Sequence, residues 1–493
     1  MANCGLTSFR LIRFQLIAYR PKYRAKTRSS HVMTTTRLGL SLNWSLGFYH
    51  DGLDPSHSGG GGFYDKRGTA EQWIKEGING QGPCQNSGPF VNGRIIGAEA
   101  EMKVMTAVGL TLFAFVGAHY APCVRPLSSV AAQGRDPVQA PIFEVDPFWP
   151  KPLPNHWVMG STVGLSVDSQ DHVWVIHRPQ TVEANFKGAD LTPPIGACCS
   201  VAPPVLEFDQ AGNLVGHWGG PGQGYEWPES NHGITVDSQE NVWIGSEGST
   251  DTEILKFDRR GKFLLQVGHQ GKHNGSNDPE NFWRPTKIYE DAAANEVYVA
   301  DGYNNRRVVV LDRDTGKYKR HWGAYGNKPD DGKVDAYDPA GPPSKQFHTV
   351  HCVAVSKDGF VYVCDRGNDR VQVFRTDGTF VKEAFFDKKT LRSGSVWDMT
   401  FSRDPQQTYI YMANGVDEKI NILLRSSLEV LTSFGDGGRQ PGEFFGVHNL
   451  DTDSKGNLYT AETYTGARVQ RFLNKGVGPV TKAEQGTPWP QTN

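Results

Sequence analysis

The amino-acid sequence predicts an all-β protein and, within that class, a six-bladed β-propeller. Three observations carry this expectation. Glycine and aromatic side chains are abundant, with 56 Gly and 12 Trp in 493 residues, and long helix-forming runs are missing. One strand–turn–strand pattern recurs six times between about 140 and 475. Each copy has too few strands to bury a sheet face alone, so the copies must stack, and stacking around an axis protects their faces and edges. A β-sandwich is the competing architecture, and six copies of one hairpin disfavour it. The net charge of -2 gives no electrostatic case for nucleic acid or acidic membrane as the main partner. Seven cysteines are too few for a disulfide-built scaffold.

The N-terminal quarter reads differently. Residues 1–37 carry eight basic side chains and no acid, residues 59–62 are all glycine, and 40–100 has neither helical nor strand periodicity. Residues 1–101 therefore read as a mis-set start or a leader of transit-peptide type. Met102, Lys103 and the largely apolar run 104–118 make a second beginning, and Val130-Ala131-Ala132 fits a small-residue cleavage site. Residues 102–132 are expected to be a signal peptide, or an uncleaved anchor, leaving 133–493 as one propeller. The protein is then secreted or periplasmic, or membrane-anchored in the second case. Without residues 1–101 the net charge becomes -7, so the exported part is mildly acidic.

The repeats follow in order. They read GLSVDSQDHVWVIHR from Gly164, HGITVDSQENVWIGSEG from His232, TKIYEDAAANEVYVADGYNNRRVVVLD from Thr286, HCVAVSKDGFVYVCDRGNDRVQVF from His351, DMTFSRDPQQTYIYMANG from Asp398 and HNLDTDSKGNLYTAETYTGARVQRF from His448. The segment IFEVDPFWPKP at 142–152 precedes the first unit and is expected to close the ring against the last. The third strands of three units share an acidic residue, a small polar turn, an arginine and alternating valine, a pattern that resembles the NHL repeat. Arg307, Arg370 and Arg468 are accordingly expected to pair with carboxylates between strands or blades.

His232, His351 and His448 each stand immediately before the inner strand of units two, four and six. Inner strands begin at one mouth of the central channel, so alternate blades would bring three imidazoles together on the axis. Three histidines with an open fourth position suit a catalytic metal, zinc first and then iron. The stretches NHGITVDSQENVW, NFWRPTKIYEDAAANEVYVADGYNNRRV, FHTVHCVAVSKDGFVYVCDRGNDRVQVF and FGVHNLDTDSKGNLY resemble the peptidyl-α-hydroxyglycine α-amidating lyases. The resemblance implies zinc on His232, His351 and His448, a catalytic base at Tyr303, and active-site arginines at Arg178 and Arg366. It implies a carbinolamide substrate, a peptide or small molecule ending in an α-hydroxyglycine-like group, cleaved to an amide and glyoxylate. It also implies a calcium beside the zinc, to which Asn449 and Ile234 would contribute. Asn449 stands where the family has aspartate and offers a carbonyl oxygen without charge. Two other readings stay open. One is a non-catalytic NHL propeller that binds a protein or glycan. The other is a calcium-dependent lactonase-like hydrolase, disfavoured because such sites are rich in carboxylates.

Cys352 and Cys364 lie symmetrically about Asp358, so antiparallel pairing sets them opposite one another, as a bridge or as two buried thiols. Cys198 and Cys199 are adjacent and are not expected to bond each other. The long loops 182–204 and 326–346 are expected to rim the pocket.

Overall fold

The structure is a computed structural model that describes residues 137–333 and 336–490, with a short ladder pairing Val32–Met33 and Trp44–Ser45. The chain divides into two units, Met1–Ser129 and Val130–Asn493. Apart from that short ladder, the expected leader lies outside the described residues, as does the signal or anchor segment. Among the described residues no helix is long and apolar enough to cross a membrane.

Six four-stranded antiparallel sheets form the propeller. From the inner strand outward, blade 1 is Thr162–Val167, Val173–His177, Val205–Phe208 and Leu214–Trp218. Blades 2 to 5 repeat this order, with inner strands Asn231–Val236, Pro285–Asp291, Val350–Val355 and Asp398–Phe401. Blade 6 contains Val447–Thr452, Leu458–Glu462 and Arg468–Pro479, and its outer strand is Gln139–Asp146 from the other end of the chain. The expected ring closure is therefore present, with Val145 opposite Phe472.

Local chemistry explains the hairpins. Asp237 Oδ1 accepts the amides of Gln239 and Asn241, while Oδ2 accepts the Trp243 indole N–H at 3.0 Å. Asp168 does the same in blade 1 for Gln170, His172 and Trp174. One aspartate thus satisfies two turn amides and a buried indole, which is why the repeats read Val-Asp-Ser-Gln before Val-Trp. Between blades the core is aliphatic and aromatic. Tyr298, Val308 and Val310 of blade 3, for example, pack with Val353, Val361 and Phe374 of blade 4.

The repeat arginines are structural. Arg307 Nε lies 2.8 Å from Asp301, Arg370 Nε 2.7 Å from Asp365, and Arg468 Nε 2.7 Å from Glu462. Each also donates to carbonyls of the segment entering its blade: Asp278 and Asn281, Gln346, and Arg439 and Glu443 respectively. The guanidinium thus ties two strands of a blade to its incoming connection, and the fork geometry suits arginine alone. Cys352 and Cys364 are joined across one hairpin. Cys198 and Cys199 are joined to each other, contrary to expectation. The only other cysteines among the described residues are Cys352 and Cys364, so no alternative partner exists there.

Because Arg370 and Asp365 are both fully buried, Arg370→Ala strands a carboxylate in the interior. It is expected to cost about 3–5 kcal/mol, read as a lower denaturant midpoint in chemical unfolding.

Candidate metal and catalytic site

Each inner strand except that of blade 5 shifts register at its start. The shift falls between Asn231 and Ile234 in blade 2, Val350 and Cys352 in blade 4, and Val447 and Asn449 in blade 6. An extra residue in one strand re-aims its side chain, and the re-aimed residues here are His232, His351 and His448. Their rings form a nearly equilateral triangle, with centroid separations of 4.9, 4.8 and 4.9 Å. All three are buried, at 2%, 3% and 3% exposure. They constitute a group that could hold a metal ion, with ligand atoms within 4.8 Å of one another.

The donor set fits such an ion. His232 Nδ1 lies 3.0 Å from the Thr286 carbonyl and His351 Nδ1 2.6 Å from that of Trp397. A carbonyl at Nδ1 calls for the proton there, which leaves the Nε2 lone pair for a metal. His448 Nδ1 is buried with no partner at full hydrogen-bond geometry among the described residues, and the ring's backbone contact is with Val163. Burial holds all three imidazoles well below the ordinary histidine pKa. The neighbouring charges of Arg178 and Arg366 add to this at all but His351, where Arg366 acts without Arg178. The rings are therefore neutral at neutral pH, the form that ligates metal.

Tyr303 joins this cluster. Its hydroxyl lies 3.2 Å from both His232 Nε2 and His351 Nε2. Its turn can approach the His351 strand because Gly302 precedes it; a Cβ there would lie 2.2 Å from the Val350 nitrogen. Arg366 donates to the Tyr303 hydroxyl at 3.4 Å, and its guanidinium lies over the Tyr303 and Trp397 rings at 5.2 and 4.9 Å. Arg366 Nε is buried without a partner among the described residues. Gly394 makes room for this turn, since a Cβ there would meet the Arg366 carbonyl at 1.8 Å. Burial raises the Tyr303 phenol above its usual range, and Arg366 pulls against it.

Arg178 is more committed. Its Nε donates to the Asn231 carbonyl at 2.9 Å and its Nη2 lies 3.0 Å from Glu247. Glu247 also pairs with Arg284, whose guanidinium lies 5.1 Å above the Tyr303 ring. Sequence reasoning missed Arg284 and Glu247. The available signal was the arginine directly before Pro285 at the start of an inner strand, a left-handed position with φ of 65°. By strand order, the turns carrying Arg178, Tyr303 and Arg366, the loop 182–204 and the described parts of the loop 326–346 all lie at the end where the inner strands begin.

The expected calcium ligands are disposed otherwise. Asn449 Oδ1 accepts the Leu165 amide at 2.6 Å, and its Nδ2 donates to Asp398. Its carbonyl oxygen is therefore used by the backbone and its amide points at a carboxylate, so Asn449 does not fit a calcium ligand, and nothing assigns that role to Ile234. A second group, Asp168, His172 and Glu207, has the composition of a metal site. Arg259 already occupies it, 2.8 Å from Asp168 and paired with Glu207.

Residues 347–374 match the NHL repeat family. NHL repeat-containing protein 3 from Mus musculus is 26% identical over 355 residues, covering 68% of this chain and 85% of that protein. Peptidyl-glycine alpha-amidating monooxygenase from Mus musculus is 32% identical over 159 residues, 31% of this chain and 14% of the mouse protein. Peptidyl-alpha-hydroxyglycine alpha-amidating lyase 1 from Drosophila melanogaster is 24% identical over 278 residues, 51% of this chain and 47% of the fly protein.

Removal of one imidazole leaves two ligands and a polar gap. His351→Ala is expected to weaken uptake of an added divalent metal ion, probed with zinc, at least about tenfold relative to the unaltered protein, measured by competition with a chromogenic chelator.

Proposed function

We propose that this NHL-repeat propeller is a zinc-dependent lyase of the α-hydroxyglycine-amidating type. Its substrate is a carbinolamide with a carboxylate beside the carbinol carbon, and its products are an amide and glyoxylate. The observation that carries this reading is the Tyr303 hydroxyl, 3.2 Å from two of three converging imidazoles and within reach of Arg366. A structural tyrosine has no need of that company.

A zinc ion held by His232, His351 and His448 would act as a Lewis acid, polarising the carbinol oxygen. Tyr303 is the chain's own group for the proton. Its hydroxyl oxygen accepts the carbinol proton while its own phenolic proton passes to the departing nitrogen, as the C=O bond of glyoxylate forms and the C–N bond breaks. The electron pair of that bond goes to nitrogen, where the phenolic proton completes the amide and leaves the tyrosine neutral again. Arg366 offers an unpaired, buried Nε and a fork suited to a carboxylate. Arg178, held by Glu247 and the Asn231 carbonyl, contributes charge and orientation rather than a free fork. Burial of the site removes competing water and strengthens each of these contacts.

A second reading rests on the length of the match to NHL repeat-containing protein 3, which exceeds that to either amidating protein. On that reading the propeller is a binding module for a protein or glycan.

Glyoxylate release from an α-hydroxyhippurate-type compound separates the two. The lyase reading expects turnover that depends on bound zinc. Tyr303→Phe should retain zinc and lose about 10²–10⁴-fold in kcat. A protein that binds no metal and turns nothing over would sink the lyase and leave the binding module.

A further inference from the structure

One residue deeper than the histidine ring, the channel contains a charge pair that the proposed chemistry does not use. Lys287 Nζ lies 2.6 and 2.8 Å from the two oxygens of Asp398, 111 residues away. The lysine comes from blade 3 and the aspartate from blade 5, so the contact spans the blade between them. Asp398 Oδ2 also accepts the Asn449 side-chain amide and, at 3.0 Å, the Leu450 amide. Asn449 Oδ1 in turn takes the Leu165 amide of blade 1. The network therefore joins blades 1, 3, 5 and 6. Its members are nearly inaccessible, with Lys287 at 9%, Asp398 at 1% and Asn449 at 6% exposure.

The register makes this a built layer. Lys287, Asp398 and Asn449 sit opposite Ala300, Ala413 and Ala461, each one residue from the end of the second strand of its blade. The residues just before the first two are Thr286 and Trp397, whose carbonyls receive His232 and His351. The residue before the third is His448 itself. A cation at this level thus braces the strands that orient all three imidazoles.

We propose that the Lys287 ammonium is a fixed internal cation that replaces a divalent ion at the propeller axis and makes the protein independent of calcium. The carboxylate that a calcium would need is satisfied by a bidentate ammonium. The side-chain amide beside it is turned as a donor, and a donor repels a cation. Burying a lysine is costly unless it is paired, and this one is paired with both oxygens of a buried acid. The sequence signal was a lone basic residue in the inner strand Thr286-Lys287-Ile288, where the neighbouring side chains are buried.

Two measurements test this, and neither reads turnover, so failure here is separate from failure of the lyase reading. In the first, calcium chloride is titrated into the protein at fixed zinc content, followed by calorimetry and by the thermal midpoint. No binding heat and an unchanged midpoint at millimolar calcium are expected. One equivalent of bound calcium with a raised midpoint would overturn the proposal. In the second, Lys287→Met is compared with Lys287→Met/Asp398→Asn. The single variant, with an uncompensated buried carboxylate, should lose several degrees, and the double variant should recover part of that loss. A single variant as stable as the unaltered protein would equally overturn the proposal. If the single variant fails to fold, the calcium titration decides alone.

Discussion

The shift of register at the start of the inner strands is the constraint on which the site depends. In a regular ladder, successive side chains would point alternately into the two interfaces with neighbouring blades, where Val353 and Leu450 are buried. The extra residue rotates one position out of that alternation and toward the axis. Applied in blades 2, 4 and 6, it brings together three imidazoles, His232, His351 and His448, from residues that span more than 200 positions of the chain. Closure of the ring by Gln139–Asp146 holds the convergence, because an open ring would let the first and last blades separate.

Convergence concentrates charge that must then be balanced. Arg178 acts on Tyr303 through its charge, Arg284 and Arg366 lie over its ring, and Lys287 lies one layer deeper. Glu247 answers the first two arginines and Asp398 answers the lysine, each by bonds to both of its oxygens. Arg366 has no carboxylate partner among the described residues and stacks instead on Trp397 and Tyr303. A guanidinium lying on aromatic faces keeps its donors for something else. This asymmetry among the arginines separates the site's scaffolding from the part open to an anionic ligand.

Much of this was legible in the linear chain. The six hairpins, the closing strand, the carboxylate partners of Arg307, Arg370 and Arg468, and the convergence of the three histidines follow from repeats of fixed register. Equivalent positions in such repeats are equivalent in space. The placement of Cys352 opposite Cys364 follows from hairpin symmetry, whereas the bond between them does not. Arg284 and Glu247 escaped notice because their pairing runs between neighbouring blades through turns of unequal length, which carry no register. The Cys198–Cys199 bond arises in a loop outside the repeat and has no counterpart in the other units. Asn449 does not fit the expected calcium for a related reason. The residue type permitted a cation, while the direction of its amide depends on Asp398, 51 residues away.

The sequence by itself determined the architecture and which three histidines converge into a group that could hold a metal, because both are periodic and periodicity survives without coordinates. Tertiary structure alone decided which charges are compensated and which remain available. Those outcomes depend on contacts across the channel, such as Lys287 with Asp398, where geometry between non-adjacent blades selects the partner and nothing local in the chain records it.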